Sequence, residues 1–363
     1  MVHTRTAPVL ALLFSIHPPH RLNTLDHRLR VLHRASHRHC TEPRPTSRPT
    51  PLRLASQRFP RSALLGTTAL LLAGAYYHLS SSHFSQSANE LLAPDRWTTC
   101  GIEAIERLNH DTSLFRLKMS PTQAPLPNHS VYIESVYIKH PALQIERPYT
   151  PLHDLPRIST TSPEDPQQTE FLIKRYEDGD MSTYLHHQKR VGSHLEIRGP
   201  SFTWIHPTGD IEEIIFIAGG TGITPAIQLL KRLYANPKTI GQRPKFKLVY
   251  LSRASDSVYL DENVLEIFKK HPKSMEILRV VDQVEAGASV SSANKVGKLE
   301  VDDLRRWIGD VSTSSSQRII LVCGPEGMIR AVSGPKAADL SSQGELGGML
   351  KELGYTKDQV YKL

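Results

Sequence analysis

Two short phrases of the chain carry residue types able to hold a ligand that is both charged and aromatic. In Glu146-Arg147-Pro148-Tyr149-Thr150-Pro151, proline fixes φ and sets a guanidinium, a phenol and a hydroxyl on extended backbone. A guanidinium fork suits a phosphate, a phenol ring can cover an aromatic ligand, and the Thr150 hydroxyl can donate to a ring nitrogen. The same residues also suit an ordinary strand end with a surface arginine. The second phrase is Gly219-Gly220-Thr221-Gly222-Ile223-Thr224-Pro225. Its glycines allow positive φ and close approach of a ligand, Thr224 suits a helix N-cap, and Pro225 suits the first helical position. A strand, a glycine turn and a helix N-terminus in succession present backbone N–H groups to an anion, and a dinucleotide pyrophosphate is the usual one. Pro225 stands where G-x-G-x-x-G would have its third glycine, so the turn taken alone reads equally as structural.

These phrases need scaffolds. From 95 to 208, short alternating or apolar runs at Ile102–Leu108, Ser113–Met119, Ser130–Lys139, Glu170–Tyr176 and His194–Arg198 are separated by Pro, Asn and Gly. They predict a small all-β antiparallel barrel, with residues 151–168 as a loop. From 209 to 363, apolar strands at Ile214–Ala218, Lys247–Leu251, Ser274–Val281 and Arg318–Cys323 alternate with helical patterns at Ala226–Tyr234, Glu262–Lys270 and Val301–Ile308. That alternation predicts an α/β doubly wound parallel sheet. Its ligand belongs at the carboxyl ends of the strands, where Gly220, Thr221, Gly222, Cys323, Gly324 and Pro325 fall. Ser252 and Arg253 end the second of these strands, and a hydroxyl with an arginine fork there suits a 2′-phosphate.

The net charge of +8 suggests nucleic-acid binding until it is divided. Residues 1–62 hold 11 arginines, no lysine and only Asp26 and Glu42, leaving the remainder slightly acidic, so no nucleic-acid partner is expected. The leader is rich in Arg, Ser, Thr, Pro and His, the composition of a disordered mitochondrial transit peptide. Residues 63–79 are apolar apart from Thr67, Thr68 and His78, near the minimum length for one transmembrane helix, and a Ser-rich linker follows over 80–94. Arginines before the span and acids after it predict an N-terminus left behind and a body carried across, which in mitochondria means an inner-membrane anchor and an intermembrane-space body. Cys40, Cys100 and Cys323 form neither a C-x-x-C pair nor zinc-ligand spacing, so no metal site is expected.

Five phrases, Arg147-Pro-Tyr-Thr150, Tyr176 to Leu185, Arg198-Gly-Pro200, Gly219 to Pro225 and Cys323-Gly-Pro-Glu-Gly-Met328, occur in the order and spacing of the ferredoxin reductase-like flavoproteins. The chain most resembles their NADH–cytochrome b5 reductase branch, over about residues 95–363. The resemblance implies an FAD-binding barrel followed by an NAD(P)-binding domain. It implies FAD as cofactor, held by Arg147 at the diphosphate, Tyr149 on the flavin, Thr150 at N5, and Gly179, Met181 and Ser182 at a helix N-terminus. It implies NADH or NADPH as donor at Gly220, Thr221, Gly222, Thr224 and the motif of Cys323, Gly324, Pro325 and Met328, with Thr150 and Cys323 nearest the chemistry; Ser252 and Arg253, by their own chemistry, add the adenosine end. Asp180 replaces a lysine common in these relatives and is expected to cap the short helix through Leu185, unless Ser182 does so; Glu326 replaces a frequent proline.

The inserted stretch from Ser333 to Gly348, with the leader and the span, is similar to a fungal mitochondrial branch linked to haem attachment on cytochrome c. That resemblance implies a haem or haem protein as electron acceptor. A conventional cytochrome b5 reductase at the outer membrane or endoplasmic reticulum, and a flavin-stabilised assembly factor, are the alternatives.

Overall fold

The computed structural model describes residues 90–127, 131–158, 168–207, 211–235, 243–254, 259–260, 262–283, 294–309, 311, 317–338 and 342–363. The leader over 1–62, the expected span over 63–79 and the linker up to residue 89 lie outside them. Among the described residues no helix is long and apolar enough to cross a membrane.

The first sheet comprises β1 (Thr98–Arg107), β2 (Thr112–Lys118), β3 (Tyr132–His140), β4 (Ile145–Tyr149), β5 (Gln168–Lys174) and β6 (His194–Ile205). Their order is β4-β3-β6-β1-β2-β5, and each pairing is antiparallel. The expected barrel is therefore open. β4 and β5 are edge strands, leaving unpaired backbone groups beside a gap where a ligand can enter. Period-2 burial explains the strands: Phe115 and Leu117 of β2 are fully buried and meet Phe171 and Ile173 of β5 in one core with Val136, Ile138, Leu195 and Ile197. β4 contains the arginine phrase, so that phrase is a paired strand in register with β3, Arg147 lying opposite Ile138. β6 runs through the Arg198-Gly-Pro200 phrase, well past the expected strand end.

A short helix, α1 (Asp180–Thr183), follows β5 and continues as a wider turn over Tyr184–Gln188. Its N-cap is Gly179, without a side-chain cap bond. The expected cap by Asp180 or Ser182 does not form: Asp180 is the first helical residue and exposed, while the buried Ser182 hydroxyl accepts the Tyr176 N–H at 3.0 Å and bonds back to Gly179 O at 3.0 Å.

The second sheet is parallel, in the order β10-β9-β8-β7-β11-β12, from β7 (Glu213–Gly219), β8 (Lys245–Ala254), β9 (Met275–Gln283), β10 (Lys295–Val296), β11 (Arg318–Cys323) and β12 (Val360–Lys362). All residues of β7 are buried, as expected for a central strand covered on both faces. The chain leaves β7 for β8 on one side and returns to β11 on the other, so β7 and β11 flank the point where strand order reverses. α3 (Glu262–Lys270), α4 (Val301–Ile308), α5 (Glu326–Ser333) and α6 (Gly348–Glu352) complete this domain among the described residues.

The helix after β7 differs from expectation at its start. A 3-10 turn over Gly220–Ile223 runs directly into α2 (Thr224–Leu230), so Thr224 already has helical dihedrals (φ −58°, ψ −41°) and is not the N-cap. The helical run opens at Gly220, and the N–H groups its own hydrogen bonds leave over belong to the glycine turn. Every residue of α2 is buried. Such a helix must be covered on all sides, and here both domains cover it: Val131, Ile133, Leu172 and Trp204 of the first share one apolar cluster with Phe216, Ile227, Leu230 and Leu248 of the second.

Candidate active site

A cleft of about 410 Å³ opens between the edge strands of the first sheet and the strand ends of the second. One wall carries Arg147, Pro148, Tyr149 and Thr150 from β4 and its end, Leu172 to Lys174 from β5, and Gly179 to Ser182 from the start of α1. The other carries Thr221, Gly222, Thr224 and Pro225 after β7, with Cys323 at the end of β11 and Gly324 after it. Gly220, Ser252, Arg253, Pro325 and Met328, expected to contact a cofactor, do not line it.

On the first wall, β4 alternation turns the exposed Arg147 and the half-buried Tyr149 out of the same strand. Among the described residues Arg147 pairs with no acid; its guanidinium donates to its neighbour's carbonyl, Glu146 O, at 2.8 Å. Thr150 shares a 2.8 Å hydrogen bond with Ser135, which is buried in β3. Gly179 is required sterically, since a Cβ there would lie 2.6 Å from Ser182 Oγ and displace the hydroxyl that holds the turn. The result is a cationic, backbone-rich cradle beside an aromatic ring, which suits a diphosphate joined to an aromatic group. The exposed carboxylates of Asp178 and Asp180 also line the cleft and are the features there that disfavour an anion.

On the second wall, the glycines bring two turns together rather than merely leaving room. A Cβ on Gly219 would meet Met328 Sδ at 2.4 Å, and one on Gly324 would meet Met328 Cε at 2.8 Å. Met328 thus packs beneath the turns and supports them. Gly220, at φ +54°, has open space around it and needs glycine for its backbone alone. Burial pushes the Cys323 thiol up to about 11, so at neutral pH it is an uncharged wall of the cleft and not a thiolate. Glu326 begins α5, faces solvent and pairs with Arg330 at 2.5 Å. Ser252 is buried, its hydroxyl without a hydrogen-bond partner among the described residues, beside the exposed Arg253 near the end of β8.

Sequence reasoning missed the groups joining the two walls. Glu134 of β3 is fully buried and pairs with Arg157 at 2.6 Å and with Arg232, just beyond α2, at 2.7 Å. Burial raises the Glu134 carboxyl while the two guanidiniums pull it down. Removing one partner of such a buried cluster typically costs about 3–5 kcal/mol. A carboxylate inside a β-branched run and a lone amide, Gln228, inside an apolar helix were the available signals, since buried polar groups demand partners. Nothing local, however, says that they meet each other.

Residues 99–206 match the oxidoreductase FAD-binding domain, and residues 216–334 the oxidoreductase NAD-binding domain. NADH-cytochrome b5 reductase 2 of Coccidioides immitis is 30% identical over 310 residues, covering 82% of this chain and 90% of the relative. An NADH-cytochrome b5 reductase-like protein of Arabidopsis thaliana is 31% identical, covering 82% of this chain and 89% of the relative. The chain belongs to the NADH-cytochrome b5 reductase family. Its fold is similar to that of the cytochrome b5 reductase domain of Ulva prolifera nitrate reductase, with a TM-score of 0.55 at 20% identity over 75% of this chain and 99% of that one. As a member of this family it is an oxidoreductase that uses FAD and a nicotinamide dinucleotide. The cationic cradle and the glycine turn fall within the FAD-binding and NAD-binding matches respectively.

Proposed function

We propose that this reductase is anchored in the mitochondrial inner membrane, with its body in the intermembrane space. There it carries electrons from NADH or NADPH through FAD to a haem or haem protein of the cytochrome c pathway, supporting haem attachment. The observation that carries the electron-transfer part is the shared cleft, with a cationic cradle on one wall and a glycine turn on the other. Arg147 and the backbone at Gly179, Met181 and Ser182 would hold the FAD diphosphate, Tyr149 would cover the ring system, and Thr150 would offer its hydroxyl at a ring nitrogen. Thr221, Gly222 and Thr224 would face the nicotinamide dinucleotide, with Cys323 and Gly324 leaving room for its ring, Pro325 behind them, and Ser252 and Arg253 toward its adenosine end. When bound, the two cofactors convert hydride donation into single-electron release, so one reduced nicotinamide and two ferric haems give oxidised nicotinamide, two ferrous haems and one proton. The chain's own part is to hold the two binding walls together through the shared α2 core and to keep Cys323 neutral.

The location rests on the arginine-rich, acid-poor leader and the uncharged 63–79 segment. A second reading, with cytochrome b5 as acceptor at the outer membrane or endoplasmic reticulum, is favoured by the names of the relatives. Spectra of the purified protein before and after NADPH, NADH and ferric haem test the activity: bleaching of a flavin band followed by ferrous haem is expected, and a reduced flavin that leaves haem ferric would overturn the acceptor. Protease added to mitoplasts, but not to intact mitochondria, should digest the body, whereas digestion in intact mitochondria would favour the second reading.

A further inference from the structure

Thr224, Gln228 and Arg232 follow one another at four-residue spacing and share one face of the helical run that leaves the glycine turn. Thr224 lines the cleft. Gln228, buried to 1% exposure, accepts the Glu134 N–H at 2.8 Å and donates to Glu134 O at 3.2 Å and Pro151 O at 3.3 Å. Those two partners immediately bracket the hydroxyl pair of the other wall, because Ser135 follows Glu134 and Thr150 precedes Pro151. Arg232 then holds Gln228 Oε1 at 3.0 Å and Glu134 Oε1 at 2.7 Å, and Glu134 is tied in turn to Arg157. A single amide of the nicotinamide-side helix thus grips both backbone segments that carry the flavin-side hydroxyls.

We propose that Gln228 is a positioning residue for electron transfer from nicotinamide to flavin: its amide sets the Ser135–Thr150 pair against the Thr221–Gly222 turn, and the Arg232–Glu134 contact holds the amide in place. The role rests on the reading of the cleft given above. An apolar side chain of equal length would fill the space and leave three backbone groups without that partner. A small displacement between donor and acceptor costs rate without costing affinity for either cofactor, because the diphosphate contacts lie elsewhere.

The test compares the full-length FAD-loaded wild type with Gln228→Met and Arg232→Lys. Gln228→Met should lower the limiting rate of flavin reduction at saturating NADH by at least about tenfold, while FAD affinity and half-saturating NADH stay within about threefold. Arg232→Lys, which keeps a cation, should show a smaller loss of the same kind. Independently of turnover, hydrogen–deuterium exchange of the apoprotein should quicken across residues 131–136 in Gln228→Met, where the Glu134 N–H loses its acceptor. A limiting rate within about twofold of wild type, or a fall in rate matched by an equal fall in FAD affinity, would overturn the role. If Gln228→Met does not fold, the same criteria applied to Arg232→Lys decide. A wild-type flavin that neither NADH nor NADPH reduces would instead sink the reading of the cleft, and the exchange result would still report whether Gln228 fixes the β3 backbone.

Discussion

A Cβ added to Gly222 would lie 2.4 Å from the carbonyl oxygen of Cys323 and 2.8 Å from the Cα of Gly324, so the turns after β7 and β11 are in backbone contact. Neither backbone can yield without moving the strand that carries it. Gly222→Ala should destabilise the protein by about 1–3 kcal/mol, the usual range for overpacking, and should slow flavin reduction by NADH because both turns wall the same side of the cleft. Thermal melts with stopped-flow reduction check this. A variant with wild-type melting temperature and rate would show that the turns part freely.

Arg147→Ala should weaken FAD retention by about 1.5–3 kcal/mol, the range for a hydrogen bond to a charged group. Titration of apoprotein with FAD, followed by quenching of flavin fluorescence, measures it. Unchanged affinity would remove Arg147 from the diphosphate site and leave the α1 turn as the holder.

Much of this site can be read in the sequence because its parts are local. The arginine phrase, the glycine turn and the cysteine turn each lie within a few consecutive residues, and parallel-strand logic alone brings the last two to one edge of a sheet. What escaped was set by pairing across distance. The barrel gapes because β4 and β5 do not pair, and no residue of either strand announces that. Thr224 has the chemistry of an N-cap, yet the 3-10 turn at Gly220–Ile223 starts the helix earlier and overrides it. Gln228 meets β3 residues almost a hundred positions earlier, a contact that only the packed helix creates.

Glu146, next to the arginine that lines the cleft, forms a two-point pair with Arg198 of the Arg-Gly-Pro phrase, Nε to Oε2 at 3.0 Å and Nη2 to Oε1 at 2.7 Å. The Arg198 hydrogen bonds hold the Glu146 carboxyl below its ordinary range. A carboxyl with a depressed folded value contributes stability that is present above its unfolded value, about 4.3, and is lost as pH falls through the folded one. Wild type should therefore exceed Glu146→Gln in stability at neutral pH, with the gap closing in acid below about pH 4. Denaturant melts from neutral to acid pH read this, and a gap independent of pH would mean that the pair's charge contributes nothing.

Which coenzyme feeds the flavin turns on the end of β8. Among the described residues the buried Ser252 hydroxyl has no hydrogen-bond partner and the exposed Arg253 forms no ion pair. A buried hydroxyl without a partner is costly unless a ligand supplies one, and a solvent-facing guanidinium can take a phosphate without first leaving an acid. NADPH offers a 2′-phosphate at the adenosine end that NADH lacks. If Arg253 reads that phosphate, the charge-assisted contact is worth roughly 10–150-fold in binding. Arg253→Ala should then reduce the efficiency of flavin reduction by NADPH by that order while changing NADH little. Ser252→Ala should lower both donors alike if its hydroxyl meets the ribose, which separates the two residues. Stopped-flow reduction of wild type and both variants with each donor decides. Equal losses with both donors in Arg253→Ala would mean that the arginine does not read the phosphate, and a strong wild-type preference for NADH would place the adenosine end on Ser252 alone.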